Sequence, residues 1–220
     1  MKRQYFGDSK DSFKWDYLDH LTRSLRLPML QIGWMMTPDD STSDGKTSPE
    51  QFPAREGTLE LCKSLRRLRE PSLVRQLPSL SDNRYDALLD SWPGHFNNRE
   101  RNEYFCEFSC KHDQALFLDH DNGFEPEKNY NEKHVRYQEV RDTLSQASPR
   151  SVITIFQHHR RKNFVEDYAR INERLDFGYS TALFWHSVMF VTVAKSDAIR
   201  ALVRQSNSSY AESHPVKTVG

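Results

Sequence analysis

The sequence predicts an α/β fold, a three-layer sandwich around a mostly parallel, doubly wound sheet that closes with a C-terminal antiparallel hairpin. Three observations predict it. Short apolar runs at 29–36, 115–118 and 151–156 have strand length, and each breaks off into polar residues. Stretches with apolar residues at helical spacing separate them, and alternating strands and helices imply a parallel sheet covered on both faces. Two further β runs, 181–186 and 188–194, lie close enough together to pair as the hairpin.

Taken in order, Phe13, Tyr17, Leu18, Leu21 and Leu25 form one stripe of a helix over 12–26, which Pro28 ends before the first strand. Residues 37–55 are rich in Ser, Thr, Asp, Gly and Pro and read as a loop; at that length such loops are functional or mobile. Helical spacing returns over 56–69 with Leu59, Leu61, Leu65 and Leu68, and Arg66, Arg67 and Arg69 decorate its end. Pro71, Pro78 and Pro93 then punctuate two short helical pieces, so that about 56–100 reads as a helical insertion. After strand 115–118 come a helix around 131–145, strand 151–157, and a helix over 163–175 that puts Phe164, Tyr168, Ile171 and Leu175 on one face. A last helix starts at Ser196, an N-cap followed by Asp197, and carries Ile199, Leu202 and Val203. Residues 1–206 are thus expected to form a single Rossmann-like domain, and 207–220 a flexible tail. Neither an internal repeat nor a heptad is present.

Composition narrows the partners. Thirty-one basic residues balance thirty-one acidic ones, so no global field recruits nucleic acid or an anionic membrane, and a nucleic acid or nucleotide would be met by a local basic patch. The first residues carry no apolar signal region, and the longest apolar stretch, 182–194, is too short to span a bilayer. Cys62, Cys106 and Cys110 read as free thiols of a reducing compartment, so a cytoplasmic protein without a membrane partner is expected. Nothing in the sequence sets an oligomeric state.

In an open α/β sheet, ligands bind beyond the carboxyl ends of the strands. That rule gathers Asp39, Asp40, Asp119, Asp121, Asn122, Gln157 and His158 on one edge. Clustered carboxylates repel unless a cation or shared proton relieves them, so Asp119 and Asp121 are candidate ligands of Mg²⁺ or Mn²⁺. His158 is a candidate base, Asn122 and Gln157 would contact substrate, and Arg160 and Arg161 would hold phosphates at a helix start. The same 119–123 segment also reads as a plain polar turn in which Asn122-Gly123 supplies positive φ. A second cluster precedes the first strand. Asp8 and Asp11 cap the helix there, or else reach the sheet edge with Lys14, binding substrate while Lys14 neutralises developing charge.

Gly7-Asp8-x-x-Asp11-x-x-Lys14, a helix, a strand and a later strand ending in Asp119 resemble class I methyltransferase-fold proteins. The similarity is to ribosomal RNA adenine-N6 methyltransferases and to three-Cys-motif partner proteins, the latter through Lys14-Trp15-Asp16-Tyr17-Leu18 and Asp44-Gly45 with Ser48-Pro49. The resemblance implies a lysine helix ahead of the cofactor strand, S-adenosylmethionine bound near Asp39 and Asp40, and Asp119 against an amine acceptor. Two departures stand out. No glycine follows Gly33, and Asp119-His120-Asp121-Asn122 replaces the Asp/Asn-Pro-Pro-aromatic loop that positions a flipped adenine. Three readings follow: a divalent-metal-dependent phosphoryl hydrolase acting on nucleic acid or nucleotide, a divergent S-adenosylmethionine-dependent nucleic-acid methyltransferase, and a non-catalytic binding protein that retains the fold.

Overall fold

The structure, a computed structural model, describes residues 1–41, 45–80, 84–89, 95–108, 112–158 and 163–220. In chain order its elements are α1 (Ser9–Ser24), β1 (Met29–Trp34), α2 (Glu56–Leu68), α3 (Leu77–Leu80), β2 (Asp86–Leu89), α4 (Arg101–Cys106) and β3 (Ala115–Asp119). They continue with β4 (Gly123–Phe124), β5 (His134–Val135), α5 (Tyr137–Gln146), β6 (Val152–His158), α6 (Phe164–Arg174), β7 (Tyr179–Trp185), β8 (Val188–Ala194), α7 (Asp197–Ser213) and β9 (Lys217–Val219).

Seven strands form one sheet in the order β2-β1-β3-β6-β8-β7-β9. The β2, β1, β3 and β6 neighbours pair in parallel, whereas β8 runs antiparallel to both β6 and β7, and β9 antiparallel to β7. The expected α/β class, mostly parallel sheet and C-terminal hairpin are therefore present, with the second strand of the hairpin seated between the first and the parallel strands. Alternation along each central strand feeds two cores. In β3, Ala115 and Phe117 join a cluster with α1, α2 and α7, while Leu116 and Leu118 join one with α4, α5 and α6. Phe13 and Tyr17 seat α1 on the sheet through the Phe190 ring, at 4.8 and 5.6 Å between centroids.

Local chemistry explains where the elements depart from the expected bounds. Helix α1 starts at Ser9, three residues early, because the Asp8 carboxylate accepts from the Lys10 and Asp11 amides at 2.9 Å and fixes the cap there. The expected helical insertion contains an edge strand, β2, whose short Asp86-Ala87-Leu88-Leu89 run has no alternation to announce it. Residues 131–136, expected in a helix, instead carry β5, and α5 begins only at Tyr137. The tail expected to be flexible is folded. Helix α7 runs through Ser213 with Asn207 and Tyr210 buried, and β9 then adds to β7 with Leu183 opposite Thr218. Among the described residues no helix is long and apolar enough to cross a membrane.

Candidate functional site

Three strand tips meet at the carboxyl edge of the sheet. Trp34 is level with Asp119, and Leu118 with Ile155, so the segments following β1, β3 and β6 emerge side by side. Helix α1 delivers its N-terminal turn to the same edge. Gly7 makes this possible: its φ of +74° suits glycine, and a Cβ there would lie 2.0 Å from the Cys62 carbonyl oxygen.

At this edge Lys14 is fully enclosed. Its Nζ donates to Asp11 Oδ1 at 2.7 Å and to Asp119 Oδ2 at 3.1 Å, and it stands 5.0 Å from the centre of the Trp15 ring. Burial alone would lower its pKa, but the Asp11 and Asp119 carboxylates outweigh that and hold it above the ordinary lysine value. Asp11 Oδ2 accepts the Gly7 amide at 2.8 Å. The Lys14 charge is thus spent inside the protein, and burial raises the Asp119 pKa despite the pairing.

A cavity of about 110 Å³ opens beside this triad, with Asp8, Asp11, Lys14, His120, Asp121, Asn122, Phe156 and His158 on its wall. Two of these groups have unusual protonation. Burial first, then the neighbouring Asp11 charge, push the Asp8 carboxyl up to about 6. Burial presses the His120 imidazole down to about 3, so it is neutral throughout the physiological range. Its Nδ1 lies 3.1 Å from the Leu118 carbonyl oxygen. A carbonyl only accepts, so Nδ1 carries the proton and Nε2 presents a bare lone pair. That Nε2 is buried and has no hydrogen-bond partner.

Several expected site residues have other work. Gln157 Oε1 accepts the Phe124 amide at 3.0 Å, which ties β4 to β6, and Gly123 is kept free of a Cβ by the same side chain. Asp39 accepts the Gln4 amide at 3.1 Å, and Asp40 pairs with Lys2 and accepts Gln4 Nε2 at 3.0 Å; both are exposed and neither lines the cavity. Asn122 and His158 do line it, their backbones joined by a 3.1 Å hydrogen bond from the His158 amide to the Asn122 carbonyl. Arg160 and Arg161 lie outside the described residues. Sequence reasoning passed over Met1, Tyr5, Lys10, His120 and Phe156 on the wall: His120 sits between two aspartates and reads as part of a polar turn, and Phe156 as core.

Protein groups engage three of the four carboxylate oxygens of Asp119 and Asp121, and Asp119 Oδ1 is buried without a hydrogen-bond partner. Asp119 Oδ2 is held by the Lys14 ammonium, while Asp121 Oδ1 lies 2.8 Å from the Met1 amino group and Oδ2 accepts the Thr37 hydroxyl. Among the described residues no three His, Cys, Asp or Glu side chains are grouped to hold a metal ion. The end of β1 and the segment after it are tied to their neighbours. The Met35 amide donates to the Asp119 carbonyl at 3.0 Å, the Met36 carbonyl accepts the Phe96 amide at 2.7 Å, and the Phe108 ring packs over Gly33, with Cζ 2.7 Å from where a Cβ would be. No protein-family model and no curated protein sequence matches the chain.

Proposed function

We propose that this chain is a small-molecule-binding protein whose site is the cavity at the carboxyl edge of the sheet, and that its ligand is a small amine. The carrying observation is His120 on the cavity wall, a neutral imidazole whose buried Nε2 has no protein partner. An acceptor left bare in a low-dielectric wall is stabilised by a ligand that donates to it. The adjoining charges select the same ligand. The carboxylates of Asp8, Asp11, Asp119 and Asp121 outnumber the two buried ammonium groups, Lys14 and the Met1 amino group, with Lys10 also on the wall, a balance that favours an ammonium group over phosphate. A volume of about 110 Å³ holds the equivalent of roughly four water molecules, so the bound group is small.

The seating of β8 between β6 and β7 supports kinship with the methyltransferase-like fold, and the packed segment after β1 supports a member that kept the scaffold without the cofactor turn. Calorimetric titration with methylamine, ethanolamine, guanidine, phosphate and acetate tests the ligand class. The amines are expected to bind at pH 8 and to weaken at pH 5, where Asp8 is protonated; His120→Phe is expected to abolish binding while the protein stays folded. Phosphate binding in preference to every amine, or unchanged binding by His120→Phe, would sink the reading.

A further inference from the structure

We propose that the amine received at the sheet edge belongs to a free α-amino acid, with its carboxylate on Lys10 and its side chain in an adjoining groove. The inference rests on the amine reading given above and names the class of molecule that carries the amine.

The groove is a cavity of about 240 Å³ with Lys10, Thr47, Gln51, Trp185, Ser187 and Val188 on its wall. Two observations join it to the amine cavity. Lys10 lines both. Across the sheet, β6 pairs with β8 so that His158, on the wall of the first cavity, stands directly opposite Val188, on the wall of the second. Val188 is in turn level with Trp185 in the hairpin, and the Trp185 ring packs on Phe52 and Phe13 at 5.0 and 6.0 Å between centroids. This apolar part of the groove is therefore built before any ligand arrives.

Three ammonium groups stand on the wall of the amine cavity, and two are already paired. The Met1 amino group lies 2.8 Å from Asp121, and Lys14 lies 2.7 and 3.1 Å from Asp11 and Asp119. Lys10 is the third. It is half-buried, and among the described residues its side chain makes no ion pair and no hydrogen bond. It precedes Lys14 by four residues, one turn earlier on the same face of α1, and its charge is felt by the Asp8 carboxyl.

An unpaired ammonium beside an amine site repels a bare amine. A carboxylate on the same ligand turns that repulsion into attraction, through a charge-assisted hydrogen bond. In an α-amino acid a single carbon joins the two groups, so the amino group stays with His120 and the aspartates while the carboxylate turns to Lys10. The remaining substituent of that carbon then enters the groove, where Trp185 and Val188 offer apolar surface to an aliphatic side chain such as that of leucine.

Calorimetric titration of the full chain at pH 8 with leucine, glycine, isoamylamine and isocaproate tests this; the last two are leucine without its carboxylate and leucine without its amine. Leucine is expected to bind roughly tenfold or more tightly than each of the others. Lys10→Met is expected to weaken leucine by roughly tenfold and to tighten isoamylamine, opposite signs that a merely structural role would not produce. Lys10→Arg, which keeps the cation, is expected to preserve the native order. Isoamylamine binding as tightly as leucine would overturn the amino-acid proposal and leave the amine reading standing, whereas failure of both to bind would overturn both. Leucine no tighter than glycine, isocaproate as tight as leucine, or a Lys10→Met protein with the native preference would also overturn the proposal.

Discussion

Asp8 caps α1 with one carboxylate oxygen while lining the cavity, and the two roles pull its protonation in opposite directions. The amides of Lys10 and Asp11 stabilise the ionised form; burial and the Asp11 charge disfavour it and prevail, which places the group near 6. In the unfolded chain an aspartate titrates near 4, about two units lower. A carboxyl whose pKa rises on folding contributes stability below the unfolded value and loses it as pH rises through the folded one, for up to about 3 kcal/mol here. Asparagine caps a helix as well as aspartate does. Asp8→Asn should therefore raise the melting temperature at pH 7.5 and leave it unchanged at pH 3.5, while removing the pH dependence of amine binding. Thermal melts across that range check the sign; a variant less stable than the native protein at pH 7.5 would show that the ionised cap outweighs the desolvation.

At the scale of elements, the approach of α1 to α2 sets the site, because that contact decides where the first turn of α1 lies relative to β3. Gly7 has φ +74°, and a methyl group there would meet the Cys62 carbonyl at 2.0 Å and the Arg66 amide at 2.7 Å, both rigid backbone atoms. Gly7→Ala is expected to cost about 2 kcal/mol or more in urea unfolding and to weaken ligand binding, since α1 must back away from α2. A stability within a few tenths of native would mean that the two helices adjust without strain. The larger elements were legible because each carries one clear signal: a near-continuous apolar run in β3, β6 and β8, and one apolar stripe in α1 and α6. The convergence of the β1, β3 and β6 tips was legible for the same reason, since parallel neighbours must emerge at one edge. Elements of two to four residues, β2, β4 and β5, are too short to show a pattern of their own and are set by their pairing partners, for β2 a strand 57 positions earlier, Met29 opposite Asp86. The distribution of work among the acidic residues was equally hidden. Nothing adjacent to Asp119 says that Lys14, 105 positions earlier, will consume its charge. Nor does anything near Asp39 and Asp40 say that Gln4 and Lys2 will hold them outside the cavity.

Over the whole molecule, one buried cluster on the α1 side of the sheet ties together segments that serve its two outer edges. Asp16, completely enclosed, accepts from Arg55 Nε at 2.8 Å, from the Tyr210 hydroxyl at 2.9 Å and from Thr58 at 3.2 Å, with His214 Nε2 3.3 Å away. Asp19, one turn on, pairs with Arg55 at 2.5 Å and accepts the Tyr85 hydroxyl at 2.7 Å. Tyr85 directly precedes β2 at one edge of the sheet, and α7, which carries Tyr210, leads into β9 at the other. Burial would raise the Asp16 pKa, but His214 and Arg55 overcome it and hold the carboxyl well below the usual range. A carboxyl depressed on folding contributes its full stability above the unfolded value near 4 and loses it as pH falls further, the reverse of Asp8. Asp16→Ala leaves the Tyr210 hydroxyl and one side of Arg55 without their acceptor, a loss of about 3 kcal/mol in urea unfolding at pH 7. That gap is expected to narrow as pH drops below 4, while the benefit of Asp8→Asn grows as pH rises from about 4 to 6 and levels off above. The two substitutions sit two turns apart on one helix, so opposite slopes from one set of unfolding curves report the two environments directly. Parallel slopes would mean that the cluster does not hold Asp16 ionised.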